Sequence, residues 1–246
     1  KSFQEITGYR RLDELSEKLD LFSKRILKEE CLDLPQKIYM KRFVPLTEEQ
    51  NKVYEQMRKL ALAELDNGEL ATTASVLTQI MRLQQICCGH FTPDVGEIRT
   101  LKNNRLNELL DITDELQGKA IIWASYTHDI QQIASALRHR FGVEAVALYY
   151  GETPQDQRQA IVESFQDKDS PLRFFVGQPK TGGYGITLTE ATTVIYYSNS
   201  YDLEIRLTYI DLVSPKTIDE KILQALRSKI NLAEKVLGED ARQWLT

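Results

Sequence analysis

Gln178-Pro179-Lys180-Thr181-Gly182-Gly183-Tyr184-Gly185-Ile186-Thr187-Leu188-Thr189 lies between two apolar runs, Leu172-Arg173-Phe174-Phe175-Val176 and Thr193-Val194-Ile195-Tyr196-Tyr197. Its clustered glycines leave backbone N–H groups uncovered by side chains. Such a backbone turns tightly and lets an anion approach closely. Lys180 and Thr181 add a charge and a hydroxyl at the same point. The combination suits a phosphate, whether of a nucleotide or of a nucleic-acid backbone. The glycines alone would fit a plain tight turn at a strand end just as well, so the rest of the chain has to decide.

The 246 residues, 42% apolar and 27% charged, have the balance of a globular protein with a substantial core, which excludes disordered and fibrous classes. No apolar run approaches the ~18–20 residues that span a bilayer, and the first residues lack a signal peptide's apolar core, so no membrane partner is expected. The chain begins at Lys1, which sets the expectation of a piece of a longer polypeptide. Cys31, Cys87 and Cys88 make no disulfide framework and suit a reducing cytosol. Cys87, Cys88 and His90 are crowded, with no second ligand pair elsewhere, so no metal site is expected. His128 and His139 sit on a predicted helix, where surface packing accounts for both. A net charge of −5 argues against a broad basic face that coats nucleic acid. It still allows a local grip on a phosphate backbone through loop amides and hydroxyls.

Two regions differ in pattern. Residues 1–117 read as a largely helical lead-in, with Leu12, Leu15, Leu19 and Phe22 at helical spacing. Pro35 and Pro45 bracket an extended piece, 37–44. Thr47-Glu48-Glu49-Gln50 has the form of a capping box opening a helix that runs to Asn67-Gly68. Another helix spans about 70–87, and 91–96 is a loop. Residues 118–246 alternate short apolar runs with helices. Strands are predicted at 120–124, 143–148, 172–176, 193–197 and 209–213, with a last helix, capped by Thr217-Ile218-Asp219-Glu220, passing through Ile222, Leu226, Ile230 and Val236. That alternation calls for an α/β fold with a parallel sheet covered by helices on both faces. Ligands in such sheets bind at the carboxyl ends of the strands. The Ser125, Gly151 and 178–185 loops all fall there, so they should converge on one edge.

Further segments, in order, are Arg25 and Lys28 ahead of Asp33-Leu34-Pro35-Gln36-Lys37, then Gln79-Ile80-Met81-Arg82-Leu83-Gln84-Gln85-Ile86-Cys87, then Ile121-Ile122-Trp123-Ala124-Ser125-Tyr126-Thr127. They are followed by Tyr150-Gly151-Glu152-Thr153-Pro154 with Arg158 and Phe165, by the glycine loop, and by Leu212-Val213, Thr217-Ile218 and Glu220-Lys221-Ile222. Together these resemble the second motor lobe of the Swi/Snf-type ATPases in helicase superfamily 2, a RecA-like domain. The resemblance implies the C-terminal lobe of an ATP-dependent DNA translocase. In that family the strand-end hydroxyls, the Gly-x-Thr turn and the Lys-x-Gly-Gly loop hold phosphates of one DNA strand, and the loop's far side faces the nucleotide. Carried over, this makes Ser125, Thr127, Gly151, Thr153, Lys180, Thr181 and Gly182 expected phosphate contacts, and Gly183 and Gly185 nucleotide-facing positions. Hydroxyls and amides grip a backbone without reading bases, as a translocating motor requires. Helix capping is the plain alternative for Ser125 and Thr127. Trp123 and Phe165 are expected in the core, and Arg82 and Arg158 on a solvated helix face.

Three departures from the family pattern stand out. Gln178-Pro179 replaces a pair of small hydroxyl residues, and Tyr184 replaces a common acidic residue. The family's Gln-x-x-x-Arg-x-x-Arg-x-Gly-Gln segment, whose arginines stabilise charge on the transferring phosphate, should fall between Leu207 and Thr208, where two pieces of the pattern are fused. A mobile loop left out at that seam is the expectation, and Arg206 is a poor substitute for either arginine. Neither Gly-x-x-x-x-Gly-Lys-Ser/Thr nor Asp-Glu-x-His occurs in the sequence. Both belong to the first lobe. The resemblance therefore implies ATP and Mg in an intact two-lobe protein, no cofactor bound to this piece, no hydrolysis by it alone, and double-stranded DNA and the first lobe as partners. Two other readings stay open: a Rossmann-type domain binding a nucleotide or nucleotide-sugar, and a catalytically silent interaction domain with a motor fold. The compact lead-in is more similar to bacterial or phage-encoded members than to chromatin-bound ones, which points to the cytoplasm.

Overall fold

The computed structural model describes residues 10–23, 38–66, 73–93, 97–182, 185–199 and 208–226. The expectations for Arg25, Lys28, 33–37, Asn67-Gly68, Gly183, Arg206, the Leu207–Thr208 seam, Ile230 and Val236 fall outside these residues.

Residues 120–124 alternate between two apolar faces, which is what a strand buried on both sides requires. They form β4 (Lys119–Trp123), flanked by β6 (Phe174–Gly177) and β7 (Ala191–Tyr196). β5 (Val146–Tyr149) closes one edge of the sheet. At the other, β8 (Thr208–Val213) pairs with β7, and β1 (Ile38–Phe43) pairs with β8. The order is β1-β8-β7-β4-β6-β5, and every pairing is parallel.

β1 comes from the lead-in region, as does α4 (Arg105–Glu115), whose Leu109 and Ile112 enter the core. The sheet thus draws on chain from both sides of residue 117. On one face Ala120, Ile122, Phe174, Val176 and Ile195 pack against α4 and against Ile130, Ile133 and Leu137 of α5 (Thr127–Phe141). On the other, Ile121, Trp123, Phe175 and Val194 meet Phe165 and its helix α6 (Gln155–Gln166). Trp123 and Phe165 are fully buried, the core role expected of them.

The lead-in also holds α1 (Leu12–Asp20), α2 (Glu48–Asp66) and α3 (Thr73–Cys88). The capping box at the start of α2 is present in both directions. Gln50 N donates to Thr47 Oγ1 at 3.2 Å, and Thr47 N donates to Gln50 Oε1 at 3.1 Å. Gln50 is itself buried and donates from Nε2 to Ile86 O at 2.8 Å, tying the start of α2 to the end of α3. Residues 218–226 form α8, whose Asp219 N donates to Thr217 Oγ1 at 3.2 Å.

Three boundaries differ from the sequence reading. The strand expected from Val143 starts at Val146, because Gly142 ends α5 and Val143 stays 70% exposed. The strand expected from Leu172 starts at Phe174, where the Arg173 and Phe174 amides both donate to Ala145 O. Within the loop expected at 91–96, Phe91 belongs to β2 (His90–Phe91), which pairs antiparallel with β3 (Arg99–Thr100).

Candidate functional site

Register brings the loops together. Tyr149, Gly177, Trp123 and Tyr196 stand side by side in register at the ends of β5, β6, β4 and β7. With strands about 4.8 Å apart, the residues that follow them emerge along one edge. Ser125 leaves β4, Tyr150-Gly151 leaves β5, Gln178 leaves β6 and Ser198 follows β7. Cross-links fix the edge. Ser125 N donates to Ser198 Oγ at 2.8 Å, and Gln178 Nε2 donates to Ser125 O at 3.2 Å. The Gln178 amide donates to Tyr149 O at 3.2 Å. Gln178, a departure from the family pattern, thus joins three loops. Sequence reasoning gave it no such role, nor any to Ser198, because both partners are distant in the chain.

Ser125 and Thr127 do not cap α5. Its N-cap is Tyr126, in extended conformation, and no side chain takes the first free amides. The start of α5 therefore keeps the N–H groups and positive end of the helix dipole that favour an anion. Tyr126 is anchored away from this point by donation from its hydroxyl to Gln84 Oε1 at 2.8 Å, and burial pushes its phenol well above the usual range. Gln84 in turn donates to Asn199 O at 2.9 Å, tying α3 to the strand end.

Gly151 is exposed, with open space where a side chain would stand. Thr153 is different. It is buried, its hydroxyl donates to Leu148 O at 3.1 Å and accepts from Tyr150 N at 3.0 Å, and its amide donates to Tyr150 O. Its donors are used within the turn, so Thr153 shapes the loop that presents Gly151. Arg158, expected on a solvated face, braces the same turn. It donates from Nε to Thr153 O at 3.2 Å and from Nη2 to Tyr150 O at 3.3 Å, with the guanidinium 5.5 Å from the centre of the Tyr149 ring.

In the glycine loop, a single helical turn, α7 (Pro179–Gly182), closes as the Thr181 and Gly182 amides donate to Gln178 O. Lys180 is exposed and Thr181 half-buried. Gly182 is a packing glycine: a Cβ there would stand 3.0 Å from Trp123 and 3.1 Å from Tyr149 ring atoms. Gly177, not singled out by sequence, is tighter still, with Tyr149 O 2.4 Å from where a Cβ would be. Gly185 has φ +77° and open space around it, a conformation that favours glycine. The structure therefore gathers Ser125, Thr127, Gly151, Lys180 and Thr181 around one edge. Thr153 and Gly182 lie beneath it as supports.

A six-stranded parallel sheet with helices on both faces, and cross-linked loops at its carboxyl edge, has the architecture of a RecA-like helicase C-terminal lobe. Residues 101–225 match the family described as "Helicase conserved C-terminal domain", and residues 4–92 match "SNF2-related domain". The chain belongs to the Snf2-type helicases of superfamily 2. It is 26% identical over 240 residues to the Bacillus subtilis protein YwqA, named as an ATP-dependent helicase/translocase, covering 89% of this chain and 26% of that protein. An uncharacterized ATP-dependent helicase of Mycoplasma pneumoniae is 24% identical over 231 residues, with 88% and 22% covered. The Sulfolobus solfataricus SWI2/SNF2 ATPase C-terminal domain superposes with a TM-score of 0.65 at 25% identity, over 82% of this chain and 90% of that one. The chain spans about a quarter of the length of the curated relatives it matches. Among the described residues no helix is long and apolar enough to cross a membrane.

Proposed function

We propose that this chain is the C-terminal lobe of an ATP-dependent DNA translocase. It holds the phosphates of one DNA strand and supplies half of an ATP cleft, and it is catalytically silent alone. The observation that carries the reading is the cross-linked carboxyl edge, where Gln178 locks the Ser125 loop to the glycine loop, Ser198 ties it to the end of β7, and Lys180 and Gly151 stay open to solvent. Support comes from a Sulfolobus solfataricus SWI2/SNF2 ATPase core described in complex with double-stranded DNA, similar to this chain in fold at a TM-score of 0.65 and 23% identity.

Ser125, Thr127, Gly151, Lys180, Thr181 and Gly182 line or build the phosphate-facing edge, with Thr153 setting the Gly151 turn. Gly183 and Gly185 are assigned to the loop's nucleotide side, and Gly185 is exposed, with nothing among the described residues within 4 Å of where a Cβ would stand. ATP and Mg belong to the intact two-lobe protein, whose first lobe would add a phosphate-binding loop and the carboxylates that hold the metal. A cytoplasmic setting, bacterial or phage, is part of the same proposal; bacterial proteins are among the relatives that the chain is similar to.

The test uses fluorescence anisotropy with a random-sequence duplex at two salt concentrations. Binding should be weak, indifferent to sequence and steeply salt-dependent, because only a few phosphates are neutralised. In the two-lobe protein, Lys180→Ala and Thr181→Ala should reduce DNA stimulation of ATP hydrolysis more than ATP binding. Unchanged stimulation in both variants would refute the loop assignment. DNA-stimulated turnover by this chain alone at roughly 1 s⁻¹ or faster would refute the half-motor reading.

A further inference from the structure

Beside the sheet's carboxyl edge, three side chains that could ligate a metal meet where the lead-in packs on α5. His90 stands in β2, just after α3, and His128 and Asp129 are in the first turn of α5. One ligand atom from each lies within 4.8 Å of the others. His90 Nδ1 is 2.9 Å from Asp129 Oδ1, and His128 Nδ1 is 3.9 Å from the same oxygen. His90 and Asp129 are each only 1% exposed. The crowded Cys87–Cys88–His90 group considered from sequence does not assemble in this way. Both thiols are core residues that burial pushes above their ordinary range, which disfavours the thiolate a metal needs.

Two features distinguish the cluster from an ordinary buried ion pair. First, His90 Nδ1, His128 Nδ1 and both Asp129 carboxylate oxygens are buried and make no hydrogen bond. A buried carboxylate without donors is costly, and a pair aligned along an N–H line would relieve it. Here His90 Nδ1 and Asp129 Oδ1 are close, yet neither atom is in a hydrogen bond. The two Nδ1–Oδ1 separations of 2.9 and 3.9 Å bracket the roughly 3.3 Å edge of a tetrahedron with zinc–ligand bonds of about 2.0–2.1 Å. Second, the other nitrogen of His128 is already engaged. Nε2 lies 3.3 Å from Thr100 Oγ1 and 3.4 Å from Gln132 Nε2. The tautomer that donates Nε2–H to the Thr100 hydroxyl leaves the Nδ1 lone pair free for a metal, and a bound ion would select it over the tautomer that accepts from the Gln132 amide.

We propose that His90, His128 and Asp129 bind a divalent first-row transition ion, with zinc the best fit to two imidazoles and a carboxylate. A fourth position would be open to water on the side of His128, which is 20% exposed. The site adjoins the proposed DNA edge at Thr127 but shares no residue with it, and it does not depend on that assignment. Its consequence is mechanical: the ion staples β2, and through it α3, to the helix turn that follows Ser125 and Thr127.

The experiment is titration of the chelator-stripped protein with zinc chloride alone, against a chromophoric chelator, with cobalt(II) chloride in parallel. One zinc per chain is expected, together with visible cobalt absorption of a four- or five-coordinate site. His128→Ala, at a partly exposed position that tolerates truncation, should weaken zinc by more than the ~10–100-fold that outer-shell partners cost. Asp129→Asn should do the same, and His139→Ala should change nothing. Zinc should raise the melting temperature of the unaltered protein but not of His128→Ala. No stoichiometric zinc, binding that survives His128→Ala in a variant with unchanged circular dichroism, or binding lost in Cys88→Ser with Asp129 intact would each overturn the site.

Discussion

Replacing Arg105 tests what fastens the end of the fold. Arg105 is 1% exposed, in the first turn of α4, and its hydrogen-bond partners lie far away in the chain. Nη1 donates to Tyr197 O at 2.6 Å, and Nη2 donates to Ser214 Oγ at 2.8 Å and, in a very short contact, to Asp219 of α8. Burial is the largest influence and works against its charge, but Asp219, together with Cys88 and Cys87, outweighs it and holds the guanidinium above its ordinary range. Arg105→Met keeps the stem's packing and removes the charge. Asp219 is then left buried, still accepting from the Ser214 amide at 3.1 Å but without its cationic partner. Breaking one side of a buried pair costs about 3–5 kcal/mol. At a urea slope of about 2.5 kcal/mol/M this lowers the midpoint by roughly 1–2 M. The assay is urea unfolding followed by circular dichroism and by the fluorescence of buried Trp123, with Arg105→Met, Asp219→Leu and the double variant compared. The cost belongs mainly to the orphaned partner, so the double variant should recover at least about 2 kcal/mol of the summed single losses. A single-variant loss under about 1 kcal/mol, or strictly additive losses, would refute the reasoning.

Gly177→Ala should cost about 3 kcal/mol, because its Cβ would meet a backbone oxygen at 2.4 Å. Gly182→Ala should cost only about 1 kcal/mol, because ring atoms of Trp123 and Tyr149 can shift by tenths of an ångström. Urea midpoints in the reverse order would show that the β5–β6 contact is looser than described. The Tyr54 phenol is pushed up to about 12, by burial first and by Cys87 next. A pKa raised by folding gives stability that is intact below the unfolded value near 10 and is lost as pH climbs towards 12. In that window Tyr54→Phe should remove about 1.4 kcal/mol per pH unit from the alkaline slope. At neutral pH it should cost about 1 kcal/mol, since Ile218 N loses its 2.9 Å acceptor. An unchanged slope in a urea series across this range would rule out Tyr54 as a contributor.

What the sequence revealed was whatever local chemistry writes down. The Thr47–Gln50 box needs only a spacing of three, and both of its hydrogen bonds are present. The alternation in 120–124 separates Ala120 and Ile122 from Ile121 and Trp123, and the structure sends them to opposite cores. Strand ends are then fixed by pairing, so the convergence of loops at the carboxyl edge could be expected from the strand–helix alternation. Tertiary approach is what stayed hidden. Gly177 has no unusual φ to announce it, and its need for glycine arises only because Tyr149 O lies beside it on the neighbouring strand. His90 and His128 carry no shared spacing, and Arg105 and Asp219 are united only by folding.

Arg158 marks the boundary between these cases. Its partners, Thr153 O and Tyr150 O, are near in sequence, so the information was locally present. A turn that exposes Gly151 must leave carbonyls pointing back towards the helix that follows. An arginine in that helix's first turn is long enough to collect them while its guanidinium lies over Tyr149. The default of a solvated face failed because it weighed the side chain's charge and not the carbonyls the turn had to satisfy. Counting those acceptors first would have placed Arg158 as a brace of the Gly151 turn. The same count applies to Gln178, whose amide and side chain satisfy Tyr149 O and Ser125 O where the strands end.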